Sequence, residues 1–319
     1  MNNLPPDSDK KYLVVITGPT AVGKTSVAIE IAKHFKTEII SADSRQFYKE
    51  LIIGTAAPTP EELKTVKHHL VGMLPVTENY NVYQFEKDVI SFLEKLFIKN
   101  DIVFMVGGSG LYIDAVCNGI DEIPDPAPGL RHELNETFEK KGIEPLRDQL
   151  KLLDRETYEN IDIANHKRII RALEVCITTG KPYSAFLNKK NSVRPFNIIK
   201  TGLKRERSEL NDIINRRVDS MINKGLEKEA RDLYVYKDFN SLQTVGYKEF
   251  FDFFEGKCTF EKTIEKIKIN SRRYAKKQMT WLSRDKNIAW FQPADIQKIL
   301  DFITKQTHLR FDYNVRNNF

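Results

Sequence analysis

Residues 18–25 read Gly18-Pro19-Thr20-Ala21-Val22-Gly23-Lys24-Thr25 and match the pattern G-x-x-x-x-G-K-[ST] in full. An apolar run over residues 13–16 predicts a buried strand before this loop, and a helical pattern follows it over residues 26–34. In this context, backbone N–H groups and the helix N-terminus bind phosphate oxygens. We therefore predict that the eight residues bind a di- or triphosphate, with charge from Lys24 and a magnesium-binding hydroxyl from Thr25. An ATP-like nucleotide and a simpler diphosphate both satisfy this pattern.

A second short strand is predicted over residues 38–41 and ends just before Asp43. Because the predicted helix lies between the two strands, they form a βαβ unit with parallel strands. The ligand crevice of such a sheet lies at the carboxyl ends of its strands, so Asp43 should lie near the bound phosphates. A carboxylate there can be a ligand of Mg²⁺, the N-cap of a helix or a general base, and the spacing leaves these three roles open.

A third buried strand is predicted over residues 102–106, and the sequence GGSG follows it at residues 107–110. Paired glycines at a strand end let the backbone approach a ligand closely. An ordinary turn from a strand into a helix gives the same pattern, and the residues alone favour neither interpretation.

A boundary is indicated at residues 123–129, IPDPAPG, which contain three prolines and one glycine. The pattern is then helical and charged from residue 130 to about residue 187, and a strand is predicted again over residues 196–203. This order predicts an α/β fold in which a P-loop NTPase-like parallel sheet flanked by helices carries a helical insertion domain. We assign residues 1–121 and 194–319 to the P-loop core with its C-terminal helices, and residues 122–193 to the insertion.

Composition restricts the class of protein. The chain has 319 residues, 41% of them hydrophobic and 29% charged, which allows a sizeable core. We see no apolar run of membrane-spanning length and no signal peptide, and three widely spaced cysteines favour free thiols in a reducing cytosol. The net charge of +6 is modest, but residues 262–286 hold nine Lys or Arg against two acids, with Tyr274 and Trp281 among them. Such a basic face is typical of an RNA contact, and a solvated helix face gives the same pattern.

Six motifs in chain order resemble those of the bacterial tRNA dimethylallyltransferases, also called tRNA isopentenyltransferases. The resemblance spans about residues 12–284 and is carried by GPTAVGKT, DSRQFY, GGSGLYI, HKRIIRALEV, TVGYKE and RRYAKKQMTWL. The P-loop alone is common to many proteins, whereas six ordered matches are specific. Three positions depart from the family pattern: Ser109 replaces the usual threonine, Ala57 a lysine and Ile213 an arginine, while Arg217 keeps the next arginine.

The resemblance implies a reaction. The dimethylallyl group of dimethylallyl diphosphate moves to N6 of the adenosine 3′ of the anticodon, position 37, in tRNAs that read codons beginning with U, and diphosphate is released. In this interpretation the P-loop and Arg217 bind the diphosphate, Mg²⁺ is the cofactor bound by Thr25, and the catalytic residues are Asp43, Lys24 and Thr25. The amine of adenine is a weak nucleophile, and Asp43 is the candidate base that accepts its proton. We expect a cytoplasmic monomer that does not bind membranes and whose partner is the tRNA anticodon stem-loop.

The implied tRNA contacts lie in the turn after the second strand, in the insertion and in the C-terminal helices. They are Asp43, Ser44, Arg45, Gln46, Ser109, Arg131, Lys167, Arg168, Arg171, Gly246, Tyr247, Lys248, Arg273 and Lys277. The target adenine must leave its stack to reach a buried site, where Gln46 and Ser109 could hold it.

Three other functions share parts of this sequence pattern. A small-molecule kinase would need an ATP-base pocket and a second phosphate-acceptor site, and neither has a signature here. The intact Lys24, Thr25 and Asp43 argue against a tRNA-binding protein with a degenerate site. The insertion and the basic C-terminal segment favour tRNA over the free nucleotides that adenylate isopentenyltransferases modify.

Overall fold

A computed structural model describes residues 10–187 and 192–307 of the chain. Within these ranges the strands are β1 (Tyr12–Thr17), β2 (Ile39–Ser41), β3 (His68–His69), β4 (Ile102–Gly107), β5 (Asn197–Leu203) and β6 (Ala289–Phe291). The helices are α1 (Lys24–His34), α2 (Pro60–Thr65), α3 (Val82–Leu96), α4 (Gly110–Asn118), α5 (Leu130–Lys141), α6 (Glu144–Leu153), α7 (Arg155–Asn160), α8 (His166–Thr179), α9 (Arg207–Asn223), α10 (Leu226–Asp232), α11 (Tyr247–Phe254), α12 (Phe260–Leu282) and α13 (Ile296–Thr307). None of these helices is long and apolar enough to cross a membrane.

The six strands form one parallel sheet with the order β3-β2-β4-β1-β5-β6. β1 is central, since it pairs with β4 on one side and with β5 on the other, and Tyr12 lies opposite both Ile102 and Asn197. This architecture confirms the predicted α/β fold class. The sequence pattern misses the two outer strands, β3 and β6, because two or three residues are too few to show a period.

The sheet is buried on both faces, which explains the continuous apolar runs of its central strands. Along β1, Leu13 and Val15 point into one apolar cluster, and Val14 and Ile16 point into another. The first cluster is completed by side chains from α3, α4, α10 and α11, and the second by side chains from α1 and α13. The two layers hold the central strands rigidly, so the loops at their ends have fixed starting points.

The carboxyl ends of β1, β2 and β4 lead into the P-loop, the turn that begins at Asp43 and the GGSG turn, respectively. Two glycines allow the main chains to approach closely there. A Cβ atom on Gly107 would lie 2.1 Å from the carbonyl oxygen of Ala42. A Cβ atom on Gly18, whose φ is +146°, would lie 2.5 Å from the carbonyl oxygen of Leu203. A larger residue at either position would push the segments of the predicted site apart.

Arg194 joins the point where the chain leaves the P-loop core to the point where it returns. Its Nε donates to the carbonyl of Val116, and its Nη2 donates to that of Ala115, each at 2.8 Å. The guanidinium also pairs with Glu86 on α3, and both side chains are almost fully buried. A buried, charge-assisted contact of this kind is strong because water does not compete for it. It fixes the end of α4 against the segment that precedes β5.

The chain divides into two compact units, Met1–Asn118 with Val193–Phe319, and Gly119–Ser192. The sequence places the corresponding boundaries after residues 121 and 193. The smaller unit consists of α5 to α8 and the 3₁₀ segment Tyr183–Phe186. Its own apolar core contains Leu146, Leu150 and Leu173, all fully buried. The smaller unit therefore has the packing expected of a separate domain.

A buried carboxylate connects the parts of this smaller unit. Asp154, which is 4% exposed, accepts hydrogen bonds from the backbone N–H of Thr157 at 2.9 Å and from its hydroxyl at 2.6 Å. It also accepts from the N–H of Ser184 at 2.7 Å and from its hydroxyl at 3.0 Å. Burial alone would raise the pKa of Asp154, but these donors hold the pKa below its ordinary value.

We predict that Asp154→Ala destabilises the smaller unit by about 2–3 kcal/mol, because a helix cap is lost and buried donors lose their acceptor. Hydrogen exchange of residues 143–187 measures this, with the P-loop core as internal reference. Since the pKa is lowered in the folded state, the contribution is present above the ordinary carboxyl pKa and is lost as pH falls through the folded-state pKa. Wild type should therefore approach the variant in acid.

The matched control is Asp148→Ala, which removes an exposed carboxylate from α6. Equal protection of residues 143–187 in wild type and Asp154→Ala would contradict the structural role of this side chain.

Candidate active site

A cavity of about 770 Å³ opens at the carboxyl edge of the sheet. Its lining comes from the P-loop, the turn after β2, the loop at residues 54–55, the helices α9 and α12, the first residue of α10, residues 243–246 and three residues of α11. The residues of the predicted site that line it are Thr20, Ala21, Asp43, Ser44, Arg45, Arg217, Gly246, Lys248 and Arg273. Segments far apart in the sequence thus meet at one open cavity of ligand size.

The P-loop leaves β1 at Thr17 and enters α1 at Lys24, as the motif predicts. Its second glycine, Gly23, has a φ of +106°, a left-handed conformation that favours glycine. The ammonium of Lys24 donates to the carbonyl oxygens of Gly18 at 3.0 Å and Pro19 at 2.8 Å. The lysine is therefore held against its own loop, beside the part of the loop that lines the cavity.

Three charged groups act on one another at this end of the cavity. Burial lowers the pKa of Lys24 to about 8, while the charge of Asp43 raises it and that of Arg217 lowers it. Burial likewise lowers the pKa of Arg217, and Asp43 acts in the opposite direction. Two partly desolvated cations beside one carboxylate leave a net positive charge, so a bound anion stabilises the charged form of both cations. This is the environment expected for a diphosphate.

Asp43 does not cap an α-helix, so that predicted alternative is wrong. Residues 44–47 form a turn instead, and the Oδ1 atom of Asp43 accepts the backbone N–H of Arg45 at 3.0 Å. A short aspartate side chain commonly bonds its own backbone two residues on, and this favours the turn over a helix start. The carboxylate still lines the cavity, so the roles of general base and metal ligand stay open.

Gln46 and Ser109 lie next to the cavity rather than in its lining. The amide of Gln46 is held by the hydroxyl of Ser41 at 3.1 Å and by the carbonyl of Ala56 at 3.3 Å. The hydroxyl of Ser109 accepts the N–H of Ser44 at 3.2 Å. Ser109, which replaces the family's threonine, thereby ties the GGSG turn to the Asp43 turn. Both side chains support the cavity wall, and their contact with a substrate stays a prediction.

Helix α12 contributes Gln278, which is not among the predicted site residues. Gln278 is 8% exposed, and its Oε1 accepts the N–H of Thr20 at 2.8 Å while its Nε2 donates to the carbonyl of Gly108 at 2.9 Å. One turn further on, the indole N–H of Trp281 donates to Asp114 on α4 at 2.7 Å. The spacing of Gln278 and Trp281 places them on one helical face, which would have indicated that this face packs against the core.

Tyr274 faces the same end of the cavity. Tyr274 is 41% exposed, and partial desolvation beside the cavity raises its pKa to about 12. The charge of Asp43 also raises this pKa, while contacts with Ser109 and Gln278 lower it. The phenol therefore stays protonated at neutral pH and can donate a hydrogen bond. It is a further candidate for contact with a bound base.

Magnesium usually takes one or two oxygen ligands from a protein that binds it together with a phosphate group. The hydroxyl of Thr25 and the carboxylate of Asp43 are oxygen donors of this kind at the phosphate end. Across residues 10–187 and 192–307, no three His, Cys, Asp or Glu side chains group as a metal site. These residues therefore fit an ion held jointly with a diphosphate, and do not fit one held by protein ligands alone.

The predicted tRNA contacts differ in accessibility. Lys167, Arg168, Lys248, Arg273 and Lys277 are exposed, and so is the side chain of Arg131. Arg131 and Arg171 both pair with Glu174, a carboxylate with no exposed surface. Arg171 also donates to the carbonyls of Ile123 and Pro124. These two arginines are thus anchored within the smaller unit.

Tyr247 is wrongly predicted as a tRNA contact. Its side chain is completely buried, and its hydroxyl donates to Glu229 at 2.6 Å. The ring also fills the space beside Gly54, where a Cβ atom would lie 2.6 Å from it. The neighbouring Gly246 lines the cavity, but its N–H donates to Glu249 at 2.8 Å.

Part of the basic segment binds other helices of the chain rather than facing solvent. Lys268 on α12 pairs with Asp219 on α9 at 2.8 Å, and Arg272 bonds Asn215 on the same helix. The predicted basic face is therefore divided. One side of α12 packs against α9, and the side that carries Arg273 and Lys277 is exposed.

Comparison with known proteins points to one family. Residues 46–285 match the family described as IPP transferase. The chain is 50% identical over 293 residues to tRNA dimethylallyltransferase 1 of Bacteroides fragilis (strain YCH46), covering 92% of this chain and 97% of that relative. It is similar to the solved structure of the full-length tRNA isopentenylpyrophosphate transferase of Bacillus halodurans, with 37% identity, a TM-score of 0.69 and coverage of 93% and 97%. A eukaryotic dimethylallyltransferase that acts on tRNA, 24% identical, has the same fold, with a TM-score of 0.77 over 95% of this chain and 81% of that one.

We predict that the affinity for inorganic diphosphate falls as the pH rises above about 8. Lys24, whose pKa is about 8, is charged below this pH and binds the anion, whereas above it the lysine must first take up a proton. Affinity should then fall by up to about tenfold per pH unit. Titration calorimetry from about pH 6.5 to about pH 9.5, a range that spans the pKa of Lys24, measures the effect.

Lys24→Arg is the control, because arginine keeps its charge throughout this range. Its affinity should lack the inflection, and any titration of the ligand itself appears in both proteins. The same pH profile in both proteins would show that Lys24 is not the titrating group.

Proposed function

The chain belongs to the IPP transferase family, and from this membership we propose that it transfers the dimethylallyl group of dimethylallyl diphosphate to a tRNA. The acceptor in this proposal is N6 of the adenosine 3′ of the anticodon, position 37, in tRNAs that read codons beginning with U. Diphosphate is the product released. The chain is thus a prenyltransferase with tRNA as its substrate, and the anticodon stem-loop is the part of the tRNA that it binds.

The single observation that carries the proposal is the composition of the cavity wall. Arg217 lies on α9 between Ile214 and Val218, and Met221 follows one turn later on the same helix, about 6 Å along its axis. A diphosphate at Arg217 and the P-loop would therefore have apolar side chains within the reach of a five-carbon tail. Asp43 lies at the same phosphate end, where the reacting carbon would be.

The bond changes follow from this arrangement. N6 of the adenine attacks C1 of the dimethylallyl group, the C1–O bond breaks, and the diphosphate leaves with the bonding electrons. The proton of N6 passes to the carboxylate of Asp43. In this proposal Lys24 and Arg217 stabilise the negative charge that develops on the leaving group. A magnesium ion at Thr25, when bound, would add further positive charge to the departing diphosphate.

Enzymes that modify a stacked base act on it only after it has left the stack. The tRNA must therefore present an unstacked adenine to this cavity. Ser44, Tyr274 and Arg45 line the part of the wall that contains Asp43 and are candidates for contact with the base. Exposed cations, among them Lys167, Arg168 and Arg273, would bind backbone phosphates of the stem and loop. The monomeric state, the cytoplasmic location and the absence of membrane binding stay predictions.

Asp43→Asn tests the general base. Asparagine keeps the shape of the side chain and its turn but cannot accept a proton, so the transfer rate should fall by roughly 10²–10⁴-fold with both substrates still bound. Single-turnover transfer from labelled dimethylallyl diphosphate into tRNA measures the rate.

The control is a Mg²⁺ titration of the same variant, with diphosphate and tRNA binding measured separately. Recovery of the rate at high Mg²⁺ would instead make Asp43 a metal ligand. A loss smaller than about tenfold would leave it a structural residue of the turn.

Arg273→Ala combined with Lys277→Ala tests the exposed face of α12. We expect a higher KM for tRNA and a flatter salt dependence, because each lost phosphate contact lowers the slope of log K against log salt by up to about one unit. Affinity for dimethylallyl diphosphate should stay the same.

Lys298→Ala combined with Lys305→Ala removes the same charge from α13 and serves as the matched control. Equal effects of the two double variants would mean that only net charge matters. Unchanged tRNA binding with a lower melting temperature would show that the exposed face of α12 is structural.

A further inference from the structure

One carboxylate gathers four hydrogen bonds at the back of the cavity. Glu229 on α10 accepts the backbone N–H of Ile52 at 3.2 Å, that of Ile53 at 2.8 Å and that of Gly54 at 3.0 Å. It also accepts the hydroxyl of Tyr247 at 2.6 Å. Three consecutive N–H groups that converge on one anion form a nest, a geometry that holds a carboxylate firmly. The loop and the carboxylate fix each other.

Tyr247 and Gly54 make this arrangement rigid. The tyrosine ring is completely buried against Gly54, where a side chain has no room. Burial raises the pKa of Tyr247, and the charge of Glu229 raises it further, so its hydroxyl remains a donor. The loop is therefore held in one conformation, because Glu229 accepts four hydrogen bonds and the buried ring of Tyr247 packs against Gly54.

The anchored loop reaches the phosphate end of the cavity. Gly54 and Thr55 are part of the lining, and the carbonyl of Thr55 accepts Nη2 of Arg217 at 3.3 Å. In the part of the chain that the structure describes, this carbonyl is the hydrogen-bond acceptor that Arg217 reaches. The orientation of the guanidinium therefore depends on where Glu229 holds the loop.

We propose that Glu229, supported by Tyr247, is a positioning residue for the diphosphate, which it affects through Thr55 and Arg217. Glu229 is absent from the cavity lining and takes no part in the chemistry. This inference rests on the proposed function, because it assumes that Arg217 binds the leaving group. It assigns to Tyr247 a role in holding the loop rather than in contacting tRNA.

Glu229→Gln is the direct test. Glutamine keeps the size but offers one acceptor oxygen, and its NH₂ group faces the N–H donors of the loop. We expect the Kd for inorganic diphosphate and the KM for dimethylallyl diphosphate to rise roughly tenfold, the usual effect of losing a hydrogen-bonded charge. The Kd for tRNA should change less than twofold (about experimental error), because the exposed cations predicted to bind tRNA phosphates, among them Lys167, Arg168 and Arg273, lie outside this loop. Tyr247→Phe should act in the same direction, with a smaller effect.

Glu227→Gln is the matched control, since it neutralises an exposed carboxylate on the same helix that pairs with Arg231. The decisive measurement repeats Glu229→Gln in an Arg217→Ala background. If Glu229 acts through Arg217, the second substitution should cause no further loss of diphosphate affinity. An equal loss in both backgrounds would overturn the inference.

The remaining outcomes separate the inference from the proposed function. If Glu229→Gln does not fold, Tyr247→Phe in the two backgrounds provides the same test. Diphosphate binding by Glu229→Gln that equals that of wild type would overturn only the positioning role. If wild type binds neither diphosphate nor dimethylallyl diphosphate, the proposed function fails and the inference fails with it.

Discussion

At the carboxyl edge of the sheet two pairs of main-chain segments approach more closely than a side chain would allow: β4 approaches the end of β2, and the P-loop approaches the end of β5. Gly107 lies against the carbonyl of Ala42, and Gly18 lies against that of Leu203. The first contact brings the Asp43 turn and the GGSG turn together, and the pairing of β1 with β4 places the P-loop beside them, since each turn starts where its strand ends. Ser109 then bonds Ser44, and Gln278 bonds the P-loop at Thr20 and the GGSG turn at Gly108. The site is thus built on backbone proximity, and the side chains that act in it are added to that frame.

Helix α12 shows how one element can serve two tasks. Its inner face holds Thr20 and Gly108 through Gln278 and α4 through Trp281, whereas its outer face presents Arg273 and Lys277 to solvent. A basic helix that contacts only RNA would be free to tilt with its ligand. This helix is bonded to the P-loop at a single glutamine, so the predicted tRNA-binding face and the predicted diphosphate-binding loop share one rigid support.

The features that the sequence predicts are those in which a local pattern coincides with a strand end. The P-loop, the strand before it and the position of Asp43 follow from short runs of residues, and the parallel sheet follows from their order. The contacts that escape prediction join distant parts of the chain: Gln278 and Thr20 are 258 residues apart, and Glu229 and Ile53 are 176 apart. Tyr247 illustrates the limit, because a motif marks it as important without saying that it is buried. Whether such a residue faces a ligand or the core depends on helix packing, which has no local pattern.

The hydrogen bonds from Arg194 to the end of α4 have a consequence for how this fold can evolve. Because it holds the last turn of α4 next to the segment that precedes β5, the two ends of the intervening 74-residue unit emerge from neighbouring points of the core. The entropy of closing a loop grows only slowly with its length, so that unit can be lengthened, shortened or exchanged at little cost to the rest of the fold. The core can therefore acquire new accessory modules there without rebuilding its catalytic edge.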